Sequence, residues 1–274
     1  MADTPFLCPH CHAPLARDGK RLVCAAGHSY DLARQGYVNL LPPGRRAHGD
    51  NRAMIEARHR FLDSDIYAPL RDRACGMLAQ YALPCRRLLD VGCGEGYYTE
   101  AFYRAVCQSN GQPTEVVGID LSRDALIFAA RRCPDLHLAA ASCYALPLAD
   151  RSVDCITCFF APDAAAEFDR VLSPGGLLLL AFPGRRHLWE LKEILYDTPY
   201  ENDVHDTARR GYSIVAEQTV EYRHALSSPE QIRALYEMTP YCYRTPAAGR
   251  ARLDARTSLS VTCVFELVLY RKDD

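Results

Sequence analysis

Along the latter two-thirds of the chain, short apolar runs alternate with segments of helical period. The runs are residues 88–91, 116–120, 136–140, 153–160 and 177–182, and the helical segments open at Tyr97 and cover 123–132 and 164–172. Short continuous apolar runs suit strands buried on both faces, and their alternation with helices predicts a doubly wound, mostly parallel sheet. Residues 218–226 and 260–270 read as closing strands, with a helix at 229–238 between them, whereas 197–216 shows no clear period. Upstream, Met54, Ala57, Phe61 and Leu62 share a helical face from which Arg52, Arg58 and Arg60 are expected to point away. A second helix is predicted over 74–81. There is no internal repeat and no low-complexity segment.

Composition narrows this picture. With 274 residues, 49% hydrophobic and 24% charged, the chain can build one large domain and a small one. No apolar run approaches the roughly 18 residues of a membrane span. The N-terminus has neither a charged nor an apolar export region. The 13 cysteines, an odd number scattered mostly singly, then read as reduced thiols of a cytoplasmic protein. The net charge of −2 hides an asymmetry: residues 1–60 hold nine Arg/Lys and five acids, so they stand at +4 and the remainder at −6. A basic front end on a mildly acidic domain fits nucleic acid recognised locally, although a solvated charged face would look the same.

The candidate chemistry begins where the first strand ends. Residues 88–91 run directly into Gly92, Gly94 and Gly96, and then Tyr97 opens a helix. A strand, a glycine turn and a helix N-terminus form the nucleotide cradle of doubly wound domains. The pattern here is D-x-G-x-G-x-G, with Asp90 ahead of the first glycine. A carboxylate there would repel a phosphate and attract the amino group of a methionine-like moiety. Asp120, followed by Leu121 at the end of the second strand, is placed to take both hydroxyls of a ribose. The polar stretch 108–113 absorbs the extra spacing as a loop. These features resemble motifs I and II of class I S-adenosylmethionine-dependent methyltransferases.

A second chemistry lies at the N-terminus. Cys8, Cys11, Cys24 and His28 stand in a C-x2-C and C-x3-H arrangement. Two such turns bring four ligands around one Zn2+ with no open position, which makes a structural site. His10 and His12 are alternatives for the fourth ligand, but they flank the first turn and cannot belong to the second.

Beyond these motifs, GYVNLLP (36–42), GD (49–50), M-x-x-A-R-x-x-F-L-D (54–63), Y-x-P-L-R-D (67–72), R-H-L-x-E-L-K (186–192) and MTP (238–240) complete a resemblance to the bacterial 23S rRNA guanine-N1-methyltransferase family, RlmA. The resemblance runs through nearly the whole chain. It implies a class I Rossmann-like domain with a doubly wound seven-stranded sheet, and a small N-terminal zinc-binding domain. The expected units are 1–44 (zinc binding), 45–82 (helical linker) and 83–274 (methyltransferase). It implies S-adenosylmethionine and a structural Zn2+ as cofactors, with metal ligands at Cys8, Cys11, Cys24 and His28. Cofactor contacts are implied at Tyr67, Tyr98, Thr99 and His187, beside the Asp90, Gly92, Gly94, Gly96, Asp120 and Leu121 set. The implied partner is 23S rRNA, with no membrane; a homodimer is an option.

An acceptor guanine would have to be loop-borne or extruded, then stacked on an aromatic wall. Phe159, Phe160, Trp189, Tyr241 and Tyr243 are the candidates for that wall. Asp163 reads either as a general base or, more simply, as the N-cap of the following helix. No catalytic base is assigned. The competing readings are methylation of tRNA or a small molecule, and a zinc-bearing RNA-binding module without turnover.

Overall fold

The computed structural model describes residues 2–42, 52–111 and 113–274. The Arg45-Arg46 pair and the Gly49-Asp50 motif lie outside the described residues. The chain opens with β1 (Ala2–Leu7), β2 (Pro14–Asp18), β3 (Arg21–Val23) and β4 (Ser29–Asp31), paired in sequence order as a small antiparallel sheet. Next come β5 (Val38–Asn39), α1 (Arg52–Leu62) and α2 (Ala68–Tyr81). The large domain follows with β6 (Arg87–Val91), α3 (Tyr97–Asn110), β7 (Glu115–Asp120), α4 (Arg123–Arg132), β8 (His137–Ala140), β9 (Val153–Phe159), α5 (Ala165–Val171) and β10 (Leu172–Pro183). It closes with α6 (Trp189–Leu195), β11 (Tyr212–Leu226), α7 (Pro229–Met238), a 3-10 turn at Pro240–Tyr243, α8 (Ala247–Asp254) and β12 (Leu259–Lys272).

The large sheet has the order β11-β12-β10-β9-β6-β7-β8-β5, with β12 antiparallel to both of its neighbours. Strand order reverses between β6 and β9. The crevice beyond the carboxyl ends of these two strands is where open α/β sheets bind ligands. Seven strands were expected and eight are present. The eighth, β5, belongs to the N-terminal unit and pairs in parallel with β8 through Val38–Ala139 and Asn39–Ala140. Two residues are too few to show a period. Phe6, Leu15, Leu22, Val38 and Leu40 share one apolar cluster with Leu89, Val91, Val117 and Ile119, so the small sheet packs on a face of the large one.

Other departures have local causes. Helix α2 starts at Ala68, earlier than expected, because Pro69 is tolerated in a first turn where its missing N–H costs nothing. Helices α6 and α8, of 7 and 8 residues, are too short to declare themselves by periodicity. Caps did mark their ends: Ser122 accepts from Ala125 N at the start of α4, and Ser228 accepts from Gln231 N at the start of α7.

Because β12 runs against its neighbours, the segment joining β11 to β12 leaves and returns at the carboxyl end of the parallel strands. That segment, with α7 and α8, forms a cap there, and α1 packs against α7 and α4. Arg58 is not off the apolar face of α1, as expected from the sequence, but one turn from both Met54 and Leu62, within the stripe buried at Met54, Ile55, Ala57, Phe61 and Leu62. On its adjacent face, α1 is clipped to the glycine loop. Glu95, 2% exposed, receives Arg132 Nη2 at 2.7 Å and has His59 Nδ1 at 2.8 Å from the same oxygen, while Arg132 also holds Asp63 at 2.6 Å. Burial pushes the Glu95 carboxyl up, and Arg132 opposes it.

Removing one partner of a buried pair leaves an uncompensated charge. Arg132→Met should therefore destabilise the protein by about 3–5 kcal/mol. Adding Glu95→Met should recover much of that loss in denaturant titrations. Equal stability of the single and double variants would contradict this account of Glu95.

Candidate active site and metal centre

Two tight turns build the metal centre. His12 N–H donates to Cys8 O at 2.8 Å in the first, and Gly27 N–H to Cys24 O at 2.9 Å in the second. Gly27, at φ +84°, supplies the left-handed backbone that turns His28 back toward Cys24. Cys8 Sγ and Cys24 Sγ each lie 3.4 Å from His28 Nδ1, Cys11 Sγ lies 3.6 Å from Cys24 Sγ, and all four donor atoms fall within 4.8 Å of one another. A zinc tetrahedron with Zn–S bonds of about 2.3 Å has edges of roughly 3.8 Å, so the donor set fits Zn2+. His10 stacks on His28 at 5.1 Å, outside the donor set, and His12 is outside it too. Tyr30, which the sequence gave no reason to single out, places its hydroxyl 3.2 Å from Cys8 Sγ. Burial pushes the Cys8 thiol up, but the Tyr30 hydroxyl and the backbone of Cys11 and His10 outweigh it and bring the pKa down to about 6.

At the carboxyl end of β6 the three glycines have different duties. A Cβ on Gly92 would collide with Ala161, and one on Gly96 would come within 2.9 Å of the Ala129 backbone. At Gly94 the Cβ direction is open, with only Gly92 O at 4.0 Å. Gly94 N–H donates to Asp120 Oδ2 at 2.9 Å, and Ser122 N–H donates to Asp120 Oδ1 at 2.7 Å, so Asp120 is held at the rim of the loop. Leu121 beside it is half-buried.

Asp90 is placed differently from the expectation of a carboxylate turned toward a ligand. It is 3% exposed, and its two oxygens accept from the hydroxyls of Thr99 at 2.5 Å and Thr157 at 2.7 Å. Burial pushes its pKa up to about 6, against the pull of those two hydroxyls. Thr99 itself is fully buried. Thr157 was missed because only the pairing of β6 with β9, which sets Asp90 opposite Thr157, reveals it.

Tyr67 and His187, distant in sequence, meet with Tyr67 Oη 3.3 Å from His187 Nε2. Val264 N–H donates to His187 Nδ1 at 3.1 Å, which leaves the imidazole proton on Nε2, facing Tyr67. Burial holds His187 neutral, with its pKa lowered to about 3. Tyr98 lies nearer the end of β9: its hydroxyl oxygen is buried and has no hydrogen-bond partner, and its ring is 6.5 Å from that of Phe160. An orphaned buried hydroxyl beside an open glycine turn is what a bound cofactor would satisfy.

Of the five aromatic candidates, Phe160 stands out. It ends β9 in a left-handed conformation (φ 56°), unusual for a bulky residue, and its ring is 48% exposed. Phe159 is buried beneath it. Trp189 instead donates to Glu193 at 2.7 Å and stacks under Arg186, while Tyr241 lies edge-on to Tyr196. Asp163 is not the N-cap expected of it: Ala164 occupies that position without a side-chain bond, and Asp163 pairs with Arg209 at 2.6 Å.

Two measurements check this geometry. Tyr30→Phe should speed zinc loss to a chelator, by the 10- to 100-fold in affinity typical of an outer-sphere partner, and Cys24→Ser should abolish stoichiometric zinc. For Asp90, a folded pKa above the unfolded value means that its ionisation costs stability as pH rises from about 4 through about 6. Asp90→Asn should thus gain on the wild type in melting temperature between pH 5 and pH 8; a constant difference would contradict the raised pKa.

Residues 6–46 match the model of the RlmA N-terminal zinc ribbon, and residues 88–176 match a methyltransferase domain model. A Micromonospora griseorubida protein assigned as a 23S rRNA (guanine-N(1)-)-methyltransferase is 36% identical, over 96% of both chains. The 23S rRNA (guanine(748)-N(1))-methyltransferase of Streptomyces fradiae is 37% identical over 69% of this chain and 66% of its own. In fold, the YcgJ protein of Bacillus subtilis superposes with a TM-score of 0.50 at 18% identity, covering 74% of this chain and 99% of that one. No helix among the described residues is long and apolar enough to cross a membrane. With a Cys3His cluster ahead of a class I S-adenosylmethionine-dependent methyltransferase domain, and likeness along its whole length, the chain belongs to the 23S rRNA (guanine-N1-)-methyltransferase family.

Proposed function

We propose that this protein transfers a methyl group from S-adenosylmethionine to N1 of a guanine in a stem-loop of 23S rRNA. The observation that carries this reading is the joining, in one fold, of a closed zinc cluster to a glycine loop whose crevice ends at an exposed aromatic, Phe160. When bound, the cofactor supplies a methyl made electrophilic by its sulfonium; the chain supplies position and electrostatics. Asp120 takes the ribose hydroxyls, and the open side of Gly94 lets the backbone approach. Asp90 acts as the pillar that holds the loop to α3 and β9, rather than as a ligand. Tyr67, Tyr98 and His187 line the crevice, with His187 neutral. Phe160 gives an extruded guanine a face to stack on, and the strain of its backbone keeps the ring presented. The cap carrying α7 and α8, with α1 against it, keeps water from the reacting atoms. The zinc ribbon and the linker after it recognise the RNA. A methyltransferase acting on a small molecule would have no use for that module.

Incubating a 23S stem-loop transcript with the protein and labelled cofactor, then digesting to nucleosides, should give 1-methylguanosine. Label at another position, or on tRNA alone, would overturn the assignment. Asp120→Ala should weaken cofactor binding by about one to two decades, as expected for a lost charge-assisted hydrogen bond, and leave RNA binding unchanged. Phe160→Ala should do the reverse, lowering methyl transfer about tenfold or more at unchanged cofactor affinity, in line with the worth of base–aromatic stacking.

A further inference from the structure

Helix α1 buries Met54, Ile55, Ala57, Phe61 and Leu62, and Arg58 sits one turn from both ends of that stripe, at its centre. It is half-buried, so the apolar face is interrupted by a cation where the helix meets the rest of the protein. Such a charge is costly in an apolar stripe unless an anion meets it there. The neighbouring group on α3 is Tyr98, whose buried hydroxyl has no hydrogen-bond partner. Burial raises the Tyr98 phenol far above its ordinary value and keeps it a neutral donor, while the charges of Arg58 and Arg71 reach it and act the other way. Arg71 is engaged elsewhere, with Asp65 at 2.7 Å, Asp72 at 2.8 Å and the Tyr97 hydroxyl at 3.0 Å. Arg58 is therefore the cation that α1 brings to this hydroxyl, two residues beyond the last glycine of the loop.

We propose that Arg58 and Tyr98 form an anion subsite beside the glycine loop. It accepts the oxygens of a carboxylate or phosphate: the carboxylate at the amino-acid end of the cofactor, or a phosphate next to the extruded guanosine. The proposal rests on the cofactor reading given above, but it needs neither the rRNA nor the N1 position to be right. A guanidinium paired with a phenol suits either anion, since both present planar or forked oxygen pairs to N–H and O–H donors. The subsite also gives α1 a direct role: the helix that links the zinc ribbon to the large domain would close the crevice over an anionic ligand.

The test uses the full-length, zinc-loaded protein and two nucleosides titrated by calorimetry. S-adenosylhomocysteine carries the amino-acid carboxylate, and 5′-methylthioadenosine lacks it. If the cofactor carboxylate is the ligand, Arg58→Ala should weaken S-adenosylhomocysteine binding about 10- to 100-fold and leave 5′-methylthioadenosine unchanged. Arg58→Lys should recover part of the loss, and Tyr98→Phe should give a smaller loss with the same selectivity. If a phosphate is the ligand, both nucleosides should bind as before. Filter binding of a 23S stem-loop transcript should then weaken about tenfold, with a shallower salt dependence. Unchanged binding of all three probes overturns the subsite, and so does an equal loss for the two nucleosides. Tyr98→Phe keeps the question open to refutation should Arg58→Ala fail to fold. Because the titrations need no methyl acceptor, an error in the guanine N1 assignment would leave them unaffected.

Discussion

A buried carboxylate holds the site together. Asp90 sits at the end of β6, where strand order reverses, and joins α3 through Thr99 and β9 through Thr157. Those three elements carry the glycine loop, Tyr98 and Phe160. Removing a carboxylate from water is unfavourable, and two short hydroxyl bonds only partly offset that cost, which is why its pKa stays near 6. What the arrangement gives in return is position. The loop is fixed relative to the strand that presents the acceptor wall, within the tolerance that group transfer demands.

A second set of contacts brings distant parts of the chain to that loop. Glu95 lies within the glycine motif, yet its partners come from α1 and α4, and Tyr67 at the head of α2 reaches His187 beyond β10. The N-terminal unit is joined just as closely, because β5 extends the large sheet and Leu7 N–H donates to Pro147 O at 2.8 Å. RNA recognition at the front of the chain and cofactor binding in its middle thus share a continuous, packed framework. Binding energy from one can support order in the other without any large movement.

Much of this was legible in the sequence, because it depended on local chemistry. Alternating apolar runs and helical segments announce a parallel sheet, since a strand covered on both faces must be apolar throughout. The glycine spacing and the Cys/His spacing are equally local: a turn can bring two ligands to one ion only if they lie a few residues apart. Helix ends at Ser122 and Ser228 followed from hydroxyls that cap free N–H groups. Whole-length motif likeness supplied the family.

What tertiary structure decided was every property that depends on neighbours distant in sequence. Asp90 faces two threonines rather than open space because β9 lies beside β6, and no spacing rule connects residues 90 and 157. Asp163 lost both of its expected roles to Arg209, which approaches from a stretch without period. Arg58 reads as an exposed helix residue until α7 and α3 show which side of α1 is covered. Tyr30 joins the metal centre only through the fold of its small sheet, and β5 is a strand only because β8 offers it an edge. Residue type and local spacing determine which chemistry a segment is able to perform. Packing decides which groups are desolvated together, and that sets which of them carry it out.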